Sequence, residues 1–195
     1  MKIKAIITVV ILLLVGGYSI SKYNTLVSQQ ETVNQRWAQV ENQYQRRSDL
    51  IPNLVNTVQG AADFEQETLT EVIEARSQAT SIQVSSEDLN NPQALQQFQQ
   101  AQNQLTGALS RLLVTVEKYP ELQANENFQD LQTQLEGTEN RIATERQRFN
   151  EAVQGYNTSI RRFPTNIFAG LFGFGQKAYF EAEEGAEEVP EVNFN

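Results

Sequence analysis

Apolar and aromatic side chains recur along this chain in alternating steps of four and three, and that period dictates long amphipathic helices. Val33, Trp37, Val40, Tyr44, Ile51, Leu54 and Val58 fall on one stripe. Leu69, Val72 and Ile73 continue it as far as Ala79. Leu95, Phe98, Leu105, Leu109, Leu112 and Val116 form a second stripe. Phe128, Leu131, Leu135, Ile142, Phe149, Val153, Tyr156 and Ile160 form a third. Strand signals are nearly absent. The expected body is all-α, an antiparallel up-and-down bundle of three to four long helices joined by short polar connections.

Punctuation sets the boundaries. Pro52 lacks a backbone donor and crowds the preceding turn, which predicts two helices or one long helix bent there. Residues 81–91 read as a polar loop. Asn91-Pro92 then reads as a cap followed by proline at the first helical position. Tyr119-Pro120 stops that helix, Asn125 caps the next, and Pro164 ends it. Gln93 to Gln104 is glutamine-rich, but the embedded Leu95 and Phe98 make it a solvated helix face rather than a low-complexity tract.

Arg47 breaks the first stripe. The favoured account is that its aliphatic stem packs while the guanidinium reaches solvent or a carboxylate. The sharper account is a buried ion pair that sets register, with Glu41, Asp49 or a glutamate on another helix.

Ahead of the body, an almost unbroken apolar run follows Met1-Lys2-Ile3-Lys4, and no charge interrupts it between Lys4 and Lys22. Ile3 to Ile20 meets the lower end of the length a spanning helix needs, about 17–25 residues. Tyr18 stands where an interfacial aromatic belongs. A cleaved signal peptide is the rival, but Tyr18-Ser19-Ile20 lacks an A-x-A-like site. The absence of cysteine excludes a lipid anchor through that residue. Lys2 and Lys4 favour a cytoplasmic N-terminus, with the body on the outer face of a cell membrane crossed once. The expected divisions are an anchor over 1–24, a helical bundle over 25–163 and a Phe/Gly-rich segment with an acidic tail over 164–195.

The inventory narrows the chemistry. Without histidine or cysteine, thiolate nucleophiles, Ser-His-Asp mechanisms and Cys/His zinc sites are excluded. No cofactor is implied. Six of the 24 acidic residues lie between Glu181 and Glu191, the net charge is −9, and no basic patch offers itself to phosphates, so nucleic acid is not an expected partner.

After Pro164 the texture changes. Phe168, Leu171, Phe172 and Phe174 lie among Gly170, Gly173 and Gly175. The plain reading is that this segment folds back over one end of the bundle. The functional reading makes those four side chains an interaction element, for a groove on another protein or for a lipid surface. The neighbouring glutamates count against an anionic leaflet. The glycine spacing superficially suits a phosphate loop, but no strand precedes it and no Gly-Lys-Ser/Thr follows.

Longer motifs carry a resemblance. Gln43-Tyr44-Gln45-Arg46-Arg47-Ser48-Asp49-Leu50-Ile51-Pro52-Asn53-Leu54-Val55, then Tyr119-Pro120-Glu121-Leu122 with Ala124-Asn125-Glu126-Asn127-Phe128, then Phe149-Asn150 with Tyr156-Asn157, and finally Arg162-Phe163-Pro164 with Asn166-Ile167-Phe168-Ala169, resemble the LemA family. Gly60-Ala61-Ala62 departs from the aromatic more usual after that glycine. The resemblance implies a bacterial single-pass membrane protein with a helical-bundle domain and no assigned catalytic residue. The leading expectation is a non-enzymatic scaffold or adaptor that binds a membrane or periplasmic protein. The alternatives are a self-assembling structural protein of the membrane surface, forming homo-oligomers, and an enzyme that uses carboxylates.

Overall fold

The computed structural model describes residues 2–60 and 64–181. All regular structure in them is helical: α1 (Lys2–Gln59), α2 (Gln66–Ser81), a 3-10 turn (Asp88–Asn90), α3 (Pro92–Val116), α4 (Pro120–Gln123), α5 (Glu126–Arg161) and α6 (Thr165–Phe172). Ala61, Ala62 and the glutamate-rich tail beyond Glu181 lie outside the described residues.

α1 is one helix of 58 residues, about 87 Å at 1.5 Å per residue. It crosses the 24/25 boundary without a break, so the apolar stretch and the packed helices share one rod. It also passes through Pro52, which removes the two-helix option. Its N-terminal part is long and apolar enough to cross a membrane, and none of that stretch is buried in the fold.

Residue pairs fix the directions of the other long helices. Trp37 meets Phe149 at 5.5 Å and Arg47 meets Glu139 at 2.7 Å, so α5 runs antiparallel to α1. Glu71 pairs with Arg111, and Gln102 Nε2 donates to the Ala79 carbonyl at 3.2 Å, so α3 runs antiparallel to α2. The expected caps form. Asn91 Oδ1 accepts from Gln93 N at 3.1 Å, and Asn125 Oδ1 accepts from Phe128 N at 3.3 Å.

All three stripes are buried along almost their whole length. Ile73 is an exception on α2: it is 48% exposed, one step off the face that Leu69 and Val72 bury. The segment read as a polar loop carries two core residues, Val84 and Leu89. Trp37 Nε1 donates to the Val84 carbonyl at 2.9 Å, which holds that segment against α1.

The core divides in two. Near the apolar end it gathers Leu26, Trp37, Tyr44, Phe98, Phe149 and Phe180. Farther out it gathers Ile51, Leu69, Leu105, Leu112, Phe128 and Leu135. Arg47 lies at the division, only 1% exposed. Its Nη1 donates to Glu139 Oε1 at 2.7 Å and Thr106 Oγ1 at 2.9 Å, and its Nη2 donates to Gln102 Oε1. Gln102 passes the connection to α2 through Ala79. The favoured stem-packing account of Arg47 is therefore replaced by a buried pair whose partner is on α5, neither Glu41 nor Asp49. Sliding any one of the four helices would strand a charge or an amide in this layer, which disfavours other registers.

Candidate functional site

The Phe/Gly segment folds back onto the junction between the apolar end of α1 and the bundle. α6 covers one side of α1 there. Phe168 lies 5.9 Å from Tyr18 and Phe172 lies 5.1 Å from Tyr23, edge to face. Both pairings advance in the same sense, so α6 runs parallel to α1 with its first turn nearest the apolar end. Gly173 caps α6 in the left-handed region at φ 77°. Phe174 N then donates to the Ala169 carbonyl at 2.9 Å, the backbone closure that suits glycine at this position. Phe174 packs on Tyr23 at 5.7 Å.

Of the four side chains singled out from the sequence, Phe168, Phe172 and Phe174 thus meet tyrosines of α1, while Leu171 points away and is 75% exposed. On the same outward side are Ile167 at 58% and, just before the helix, Phe163 at 81%. Thr165 and Ala169 form the buried face of α6.

Beyond Gly173, residues 174–181 form no helix and strap back along the packed helices. Asn157 Nδ2 donates to the Lys177 carbonyl at 2.8 Å, and its Oδ1 accepts from Lys177 N at 2.9 Å. Asn150 repeats the arrangement with Phe180, at 3.0 Å and 2.9 Å. Gln99 does the same with Glu181, at 2.9 Å and 3.3 Å. The spacing explains the match. Seven helical residues rise about 10.5 Å, and three extended residues cover about 10 Å, so Asn157 and Asn150 meet Lys177 and Phe180 in step. Each amide satisfies a backbone donor and acceptor that have no strand partner.

At the end of the strap, Phe180 stacks on Trp37 at 5.8 Å, and Arg146 lies over its ring at 4.7 Å. The Lys177 side chain is buried, with Nζ donating to the Ser86 carbonyl at 3.2 Å. Burial holds its ammonium group below the usual lysine range. These strap contacts were missed from sequence. A signal existed: Phe149-Asn150 and Tyr156-Asn157 repeat an aromatic–asparagine pair seven residues apart, on one helix face.

A separate cleft of ≈370 Å³ opens between α1, α3 and residues 79–85. Burial raises the Glu41 carboxyl above its ordinary range. Burial also raises the Tyr44 hydroxyl, against the opposing pull of Arg146 and Arg47. Glu41 is the cleft's single carboxylate, so the paired acid and base of a carboxylate mechanism do not meet there.

The LemA family model matches residues 36–194 of this chain. That range takes in α1 from Arg36 onward, α2 to α6 and the strap. Among curated proteins, the chain is similar to magnetosome protein MamQ 2 of Paramagnetospirillum magneticum, 27% identical over an alignment of 188 residues, with 87% of this chain and 68% of the relative covered. It is also similar to magnetosome protein MamQ of Magnetospirillum gryphiswaldense, 25% identical over 185 residues, with the same coverage of 87% and 68%.

Proposed function

We propose that this chain, which belongs to the LemA family, is a non-enzymatic membrane-tethered scaffold or adaptor. Residues 3–20 cross the cell membrane once from a cytoplasmic N-terminus. The up-and-down bundle stands on the outer face and meets a protein partner there.

The observation that carries this reading is the continuity of α1 from the apolar end to Gln59. A tether that is also a core helix of the body fixes the height and orientation of every surface on that body. Such a constraint serves the holding of partners in place. The missing histidine and cysteine and the single carboxylate of the cleft support the non-enzymatic part. Relatives named as magnetosome proteins support work at a membrane system.

Three of the four sequence-picked side chains hold α6 and the start of the strap to α1, so the partner-facing surface is sought on the α2/α3 pair. Ile73 and Val114 are the large apolar side chains exposed there. Photoreactive residues at these two positions, in the intact protein in its native membrane, are expected to capture another polypeptide. Purely intramolecular products would overturn the scaffold reading. Adducts between copies would favour the self-assembling alternative instead.

A further inference from the structure

We infer that α6 is a second membrane contact: its outward face lies in the interfacial layer of the leaflet nearest the body and engages a phospholipid surface bearing anionic headgroups. This rests on residues 3–20 crossing the bilayer.

Position is the first argument. Phe168 packs on Tyr18, at the end of the apolar run where an interfacial aromatic belongs. α6 is thereby held at headgroup depth whenever α1 spans. The second argument is the exposed face. Phe163, Ile167 and Leu171 point away from α1 and are 81%, 58% and 75% exposed. They continue the lipid-facing surface of the span itself, where Leu14 and Ile20 are also exposed. An amphipathic helix in such a place buries its apolar side about 5–10 Å into the headgroup–acyl boundary.

Charge is the third argument, and it selects the headgroup. The chain carries −9 overall, yet no Asp or Glu occurs from Met1 to Gln30 or from Ala152 to Phe180; Glu87 and Asp88 are exposed on the turn whose Ser86 carbonyl accepts from Lys177, beyond α6 along the strap. The elements at the anchored end offer Arg161 and Arg162, both exposed, and Lys22, whose Nζ sits 5.3 Å from the Tyr18 ring centroid. Basic side chains beside an interfacial apolar face are attracted to anionic lipid. Glu181 is the one glutamate of the acidic run among the described residues. Its neighbour Phe180 stacks on Trp37, 14 residues along α1 from Tyr23 and so about 21 Å from the junction.

The test uses the full chain, which has no native cysteine. Single spin labels are placed through Ile167→Cys, Leu171→Cys, Leu12→Cys in the span and Val114→Cys on α3. Each protein is reconstituted alone, at low density, in vesicles of equal parts phosphatidylcholine and phosphatidylglycerol. Accessibility to oxygen is compared with accessibility to an aqueous nickel chelate. Labels at 167 and 171 are expected to resemble the one at 12, with nickel access several-fold below that at 114. Labels at 167 and 171 that match 114, while 12 stays lipid-buried, would overturn the contact and leave the span intact. An aqueous label at 12 would remove both readings. Spin–spin broadening at 171 would point to a second copy as the occupant and overturn the lipid assignment. Replacing both Arg161 and Arg162 with Gln should raise nickel access at 171 in these vesicles and leave it unchanged in pure phosphatidylcholine. An equal change in both lipids, or none in either, would overturn the anionic preference.

Discussion

Arg76 Nε on α2 donates to the Ser48 carbonyl at 2.8 Å, the acceptor that Pro52 leaves without its helical partner. A residue at position 52 with an N–H would bond to that oxygen, four residues back. Ser48 is buried, so water is a poor substitute. The helix therefore survives its proline because a neighbouring helix supplies the missing donor. Arg76→Ala is expected to cost about 1–3 kcal/mol by leaving the carbonyl unpaired. Pro52→Ala in the same chain should recover most of that loss. Urea unfolding of all four combinations in detergent, followed by circular dichroism, gives the coupling; strictly additive effects would refute the compensation.

Glu139 is the counter-charge of a guanidinium held in the polar layer. Glu139→Ala is expected to destabilise by about 3 kcal/mol, because it leaves the buried Arg47 guanidinium without its counter-charge. Arg47→Met, which keeps the apolar stem, is expected to cost less, about 1–2 kcal/mol, since the carboxylate it leaves is partly exposed and screened. Equal losses from the two variants, measured by the same unfolding transitions, would contradict this ordering.

Phe180 completes the aromatic cage around the chain's single tryptophan. Phe180→Ala is expected to cost about 3 kcal/mol. It should also shift Trp37 emission to longer wavelength and speed proteolysis within residues 173–181. An unchanged emission maximum would show that the strap does not close the core.

Lys177 supplies a pH dependence with a definite sign. Its folded pKa is lowered from 10.5. Just below that value the unfolded chain binds more protons than the folded one, so stability rises with pH across the window. Below the folded pKa the burial penalty is fully present. Lys177→Met should abolish this rise when wild type and variant are compared at matched pH. Parallel curves would refute the assignment.

What could be read from the sequence follows from period. Stripes ending at Val58, Val116 and Ile160 are legible because each residue repeats the same packing demand every three or four positions. The caps at Asn91 and Asn125 are legible because the bond they make is local. Ile73 was misplaced because two adjacent aliphatic residues on α2 satisfy the same pattern, and only packing chooses between them. The strap was legible only from its α5 side, in the repeated aromatic–asparagine pairs at 149/150 and 156/157. Its hydrogen bonds run from Gln99, Asn150 and Asn157 to distant backbone, and no repeat in 173–181 announces them. Arg47 was visible as a misfit, but its partner lies 92 positions away. Among the candidate interaction residues, the pattern marked the apolar cluster but not which side of α6 each ring would take. That choice depended on Tyr18 and Tyr23.

A mast built as one piece behaves as a lever. Bilayers of different thickness impose different tilts on a helix embedded in them. From Ile20 to Gln59 the rod extends about 60 Å, so a tilt change of about 10° would sweep its outer tip by about 10 Å. With residues 3–20 spanning as proposed, the far end of the body would register the mechanics of the lipid around its foot.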